Sequence, residues 1–137
     1  MRTAIDTNIL SAIWSGEPSA RQLAGRLGAA RLDGALLIAP AVFSELHAYP
    51  GATADFIAGF LKATGIAVDW KLEEAVWLET GLRFARYAVR RRTSAGSGPR
   101  RLMVDFLIGA HALLQADRLF TLDPKIYEQD FPEVRMY

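Results

Sequence analysis

Four carboxylates in this chain stand among apolar residues. Asp6 follows the short apolar run "TAI", Glu45 interrupts "APAVFSELHA", Asp105 interrupts "RLMVDFLIGAHALL", and Asp123 ends "RLFTLD". A carboxylate among core-facing residues costs free energy unless it is hydrogen-bonded, paired or bound to a cation. For Glu45 and Asp105 the one basic residue at helical spacing is Arg101, four positions before Asp105. Each acid also has a plain explanation of its own. Asp6 could cap a helix, and Glu45 could sit on an exposed helix edge. Asp105 could cap a helix that begins at Phe106 or pair with Arg101, and Asp123, before Pro124, could mark a turn. Those explanations weaken together, because all four acids would have to meet by coincidence at one edge of one sheet.

Four carboxylates in one pocket repel one another and hold protons at neutral pH unless a cation compensates. There is no cysteine, and His47 and His111 are the only histidines, so thiolate and histidine-rich metal centres are excluded. Oxygen ligation of this kind favours magnesium or manganese over zinc or copper. Such a centre activates water and stabilises charge on a phosphodiester during in-line displacement.

The elements that must position these acids alternate. Residues 2–5, 35–39, 65–70 and 118–122 read as short buried strands, and a last strand is expected around Val134 and Met136. Helices are expected over residues 7–15, 18–31, 40–49, 53–64, 71–91 and 100–116, with a loop at "TSAGSGP". Alternation of this kind implies a single three-layer α/β domain over residues 1–137, with a mostly parallel central sheet flanked by helices. Ligands of such sheets bind outside the carboxyl ends of the strands. All four acids fall there or at a nearby helix start.

The 137 residues suit one domain, and 51% hydrophobic with 23% charged residues is ordinary globular composition. No apolar run reaches the length of a membrane span, and no signal peptide is evident, so a soluble cytoplasmic protein without a membrane partner is expected. The net charge of +1 predicts no partner, but seven arginines and no acid lie between Arg83 and Arg101. That block reads either as a solvated helix end or as a surface for an anionic partner.

"IDTN" at 5–8, "SEL" at 44–46, "VDFLIGAHA" at 104–112 and "LFTLD" at 119–123, in this order and spacing, resemble the PIN-domain ribonucleases. The subgroup they look most like is the VapC-type toxins of toxin–antitoxin pairs. The resemblance covers essentially the whole chain. It implies a PIN-like fold and Mg2+- or Mn2+-dependent endonuclease activity on RNA. By motif, Asp6, Glu45, Asp105 and Asp123 correspond to the family's catalytic, metal-holding acids, with Asn8 and Thr121 as supporting polar residues. Asp130 could be mistaken for the fourth acid. Asp123 is favoured because the strand delivers it to the pocket edge. The resemblance also implies a VapB-type antitoxin partner and a homodimer. The apolar stretches "LSAIWSG" and "FIAGFLKA" add support for pairing. Arg90, Arg91, Arg92, Arg100 and Arg101 are assigned to RNA phosphate contacts, because the acidic pocket itself repels phosphate. Two alternatives stand beside this reading. A phosphatase with Asp6 as nucleophile would want a second carboxylate at position 8, which is Asn8. A non-catalytic RNA- or partner-binding module would need a degenerate pocket, and all four acids are present.

Overall fold

The structure is a computed structural model describing residues 1–98 and 100–137. Its strands are three residues each: β1 (Thr3–Ile5), β2 (Leu36–Ile38), β3 (Ile66–Val68) and β4 (Arg118–Phe120). They form one all-parallel sheet in the order β3-β2-β1-β4. Parallel neighbours need crossover helices, and the chain supplies them between every pair. These are α1 (Thr7–Ser15) and α2 (Ala20–Asp33), then α3 (Pro40–Leu46) and α4 (Ala54–Thr64), then α5 (Glu74–Thr93) and α6 (Met103–Gln115). A last helix, α7 (Pro124–Asp130), follows β4. Helices cover the sheet on both faces, which makes the expected three-layer α/β architecture. The strands are accordingly apolar: β2 is "LLI" and is buried throughout.

The core gathers Ile5, Ile9, Leu10, Ile38, Val42, Leu46, Ile57, Phe106, Phe120 and Phe131. One position in α6 is set by close approach. A Cβ on Gly109 would lie 2.3 Å from the Phe131 ring, so only glycine lets the C-terminal segment pack there.

The expected elements form, with three differences. Residues 124–130, read as following a turn, make α7: Pro124 occupies its first turn, where a missing N–H costs nothing. The expected last strand reduces to a single bridge, Met136 beside Leu119, with Tyr137 N–H donating to Leu119 O at 2.9 Å. The loop expectation at 93–99 holds for its described part, except that α5 continues through Thr93; Pro99 lies outside the described residues. No helix among the described residues is long and apolar enough to cross a membrane.

Candidate active site

The strand order determines where chemistry can sit. From β1 the chain moves outward to β2 and β3, then returns through α5 and α6 to place β4 on the other side of β1. The gap between β1 and β4 is therefore the point where the winding reverses, and crevices form at the carboxyl end of such a point. The register pairs Ile5 with Phe120, so the next residues out, Asp6 and Thr121, emerge side by side. Thr121 Oγ1 donates to Asp6 Oδ2 at 2.8 Å.

Asp6 is the N-cap residue of α1 by backbone position, yet its side chain makes no capping bond to the second or third helical N–H. The capping explanation is therefore excluded, and the carboxyl faces inward at 6% exposure. Burial pushes its pKa above the ordinary aspartate value. The Thr121 and Tyr127 hydroxyls and the Thr7 backbone N–H pull it back in part, and the charge on Asp105 pushes it up again.

The other acids arrive from three more elements. Glu45, exposed near the end of α3, accepts a 2.7 Å bond from Thr7 Oγ1, which ties it to the first turn of α1. Asp105 is the third residue of α6 and accepts from the Leu102 N–H at 3.0 Å, so it caps its own helix. Its Oδ2 also lies 3.9 Å from Arg101 Nε, a weak pair. Asp123 sits at the start of α7 and accepts from Asn8 Nδ2 at 3.2 Å. The Asn8 amide has only one sensible orientation, because its Oδ1 accepts from the Leu122 N–H at 3.1 Å. Thr121 Oγ1 in turn accepts from the Asp123 N–H at 3.0 Å. Asn8 and Thr121 thus connect Asp6 and Asp123 through one polar network.

Asp6, Glu45, Asp105 and Asp123 all line one cleft of about 660 Å³, together with Thr7, Asn8, Arg100, Arg101 and Tyr127. Among the described residues no three histidine, aspartate or glutamate side chains close into a ready cation cage. Among the described residues, Asp6, Glu45 and Asp123 have no basic side chain within salt-bridge distance. A set of hard oxygen donors without cationic partners fits magnesium or manganese, which take one or two carboxylates directly and keep their waters.

Asp130 belongs to the scaffold. It is 7% exposed, accepts from Arg90 Nη2 at 2.6 Å and pairs with Arg101 Nη1 on its other oxygen. Arg101 is itself buried, with its guanidinium over the Phe106 and Tyr127 rings. Of the arginines assigned to phosphate, Arg90 and Arg101 therefore spend charge on Asp130. Arg91 donates to Gly98 O at 3.1 Å, and Arg92 and Arg100 are exposed without a carboxylate partner among the described residues.

Sequence reasoning missed Tyr127. It lies one helical turn after Asp123, is 2% exposed, and lines the cleft beside Asp6, whose pKa its hydroxyl helps to lower. Burial first, then the charges of Asp6 and Asp105, push that hydroxyl far above its usual range, so it stays protonated. The signal was present in "DPKIYEQD": a proline at a helix start and an aromatic one turn in.

The sequence profile of the PIN domain matches residues 3–132, and the chain belongs to this family, whose members are generally nucleases. No protein of curated function matches the sequence. Among solved structures the chain is similar to VapBC-1 from nontypeable Haemophilus influenzae. The TM-score is 0.65 and the identity 20%, over 100% of this chain and 97% of that one. It is also similar to VapBC2 from Rickettsia felis, a structure bound to a DNA fragment from the promoter. There the TM-score is 0.69 and the identity 17%, over 100% and 98% of the two chains. At these identities the likeness is one of fold.

Proposed function

We propose that this protein is a metal-dependent endoribonuclease, the toxin of a toxin–antitoxin pair. The observation that carries the reading is the convergence of Asp6, Glu45, Asp105 and Asp123 on one cleft at the winding reversal of a PIN domain. Asp6, Glu45, Asp105 and Asp123 would hold magnesium or manganese, which would supply water activation and charge stabilisation on the phosphodiester. The chain's own side chains do the rest. The Thr121 hydroxyl holds the Asp6 carboxylate, Tyr127 stands beside it in the cleft wall, and Thr7 holds Glu45. Asn8 keeps Asp123 turned toward the cleft edge. Arg92 and Arg100 attract the RNA backbone that the acids alone would repel.

The partner reading is supported by the two similar structures, both VapBC complexes. A small antitoxin would lay an apolar segment into the groove between α2 and α4, lined by Ile13, Leu27, Gly28 and Phe60. A basic side chain of the partner, reaching the four acids, would block the cleft; arginine suits this because it binds carboxylates bidentately.

The test is cleavage of a mixed cellular RNA pool with magnesium, with manganese and with chelator, alongside manganese calorimetry. Cleavage that needs metal and disappears in Asp105→Ala is expected. Cleavage that persists in chelator, or manganese bound as tightly by Asp6→Asn as by the parent, would sink the reading.

A further inference from the structure

Beside the acidic cleft lies a second cavity of about 540 Å³, between the end of α5 and the start of α6. Its wall holds four arginines, Arg91, Arg92, Arg100 and Arg101, and no carboxylate among the described residues. Behind Arg101 the Asp130 carboxylate is shared with Arg90, and Asp105 approaches Arg101 Nε only to 3.9 Å, so the guanidiniums outnumber the carboxylates and the wall stays positive. Arg101 Nε and Nη2 are buried without hydrogen-bond partners among the described residues. The rest of the wall is apolar, with the Phe84 and Tyr87 rings nearly parallel at 15° and the small residues Ala88, Ala95 and Gly96 leaving room in front of them. The two cavities share Arg100 and Arg101.

We propose that this cavity is a nucleotide subsite, which takes the phosphate and base of the RNA residue next to the one being cut. The inference rests on the nuclease reading for its place along the strand, though not for its chemistry. An anion enters a cavity with unanswered positive charge, and Arg92 and Arg100 at the rim are free to reach it. A bare phosphate would leave the apolar floor wet. A base covers that floor, since aromatic side chains and guanidinium planes stack on nucleobases without regard to sequence. The volume suits one such unit; ligand cavities commonly hold a small molecule in this range. Because the two cavities share a rim, a strand crossing the acids reaches the subsite within one residue.

The experiment follows the methyl resonances of Ala88 and Ala95 in the full chain, without added metal. The probes are uridine 5′-monophosphate, uridine and inorganic phosphate. The monophosphate is expected to shift both methyls at concentrations where phosphate and uridine separately do not. Ala88→Glu, which places a carboxylate in the cavity, should abolish the shift of Ala95. Arg92→Ala and Arg100→Ala, at exposed positions, should each weaken binding about tenfold and flatten its salt dependence. No shift with the monophosphate overturns the proposal. So does phosphate binding as tightly as the monophosphate, or equal binding by the arginine variants. If Ala88→Glu melts early, the two exposed arginine variants carry the test alone. Manganese titration of the same samples reads the acidic cleft separately. Its failure would sink the nuclease reading while leaving the nucleotide result to stand or fall by itself.

Discussion

Asp6 is the residue where burial, hydrogen bonding and the proposed cation meet. Its pKa is raised in the fold, so the folded chain holds that proton more tightly than the unfolded one. The sign follows from linkage. A group of this kind favours folding below its unfolded value near 3.8, and the benefit is lost as pH rises through the higher folded value. Asp6→Asn removes the charge while keeping an oxygen for the Thr121 and Tyr127 hydroxyls. Metal-free Asp6→Asn is therefore expected to melt above the parent at pH 7, with a smaller advantage at pH 4, and to bind no manganese. Thermal melts at the two pH values and calorimetry check both halves. Asp123 and Asp130, seven residues apart, separate the site from the scaffold. Asp130→Asn weakens the counter-charge of buried Arg101 and is expected to cost about 3 kcal/mol by urea unfolding. Asp123→Asn, at an exposed position, is expected to leave stability nearly unchanged and to weaken manganese binding. The reverse pattern would make Asp130 the ligand.

At the scale of elements, α6 has two tasks. Its first turn presents Asp105, and its third turn anchors the edge of the sheet. His111 Nε2 lies 3.0 Å from Asp69 Oδ2, just past β3, and Gln115 Nε2 donates to the same oxygen at 2.7 Å. Burial lowers the His111 pKa, although Asp69 opposes that. A histidine lowered in the fold contributes fully above its unfolded value near 6.5, and the contribution is lost as pH falls below it toward the folded value. The parent is expected to lose thermal stability between pH 7 and pH 5, and His111→Gln to lose less over that interval. An unchanged slope in the variant would show that Asp69 already holds the imidazolium.

For the whole molecule, the apolar surface lies only in part where the sequence suggested, with Phe56 of "FIAGFLKA" 47% exposed. The first helices look exposed as written, but Trp14 packs edge-on against Tyr49, Phe56 and Phe60 at 5.1–5.4 Å, and Ile57 and Leu61 enter the core. Leu32, Phe56, Leu102 and Met103 are exposed on other elements, but the longest run of exposed apolar residues lies on α5 and before it: Trp70, Trp77, Leu78, Leu82 and Val89, each at least 46% exposed. Leu78, Leu82 and Val89 follow one another at intervals that keep a single helix stripe. A homodimer that buries this stripe is expected, giving a light-scattering mass twice the 15.1 kDa of the chain. Leu78→Glu together with Leu82→Glu should return it to the single-chain mass. A parent already at 15.1 kDa across micromolar concentrations would remove the dimer.

Much of this was legible without coordinates. Alternating buried strands and amphipathic helices specified a parallel α/β domain, because a strand apolar on both faces must be covered on both. The acids inside "APAVFSELHA" and "RLMVDFLIGAHALL" stood out because charge among core residues needs a reason. Residue identity alone could not separate Asp123 from Asp130, and seven residues of α7 decide it by turning one toward the cleft and the other into a nest of arginines. The proline and aromatic of "DPKIYEQD" signalled a helix turn, but only the fold of α7 sets Tyr127 beside Asp6. The strand order β3-β2-β1-β4 is the deepest of these tertiary decisions. Local pattern fixes that a strand forms, but which neighbour it pairs with is settled by packing of segments more than a hundred residues apart. That pairing sets Asp6 beside Thr121 and so creates the cleft.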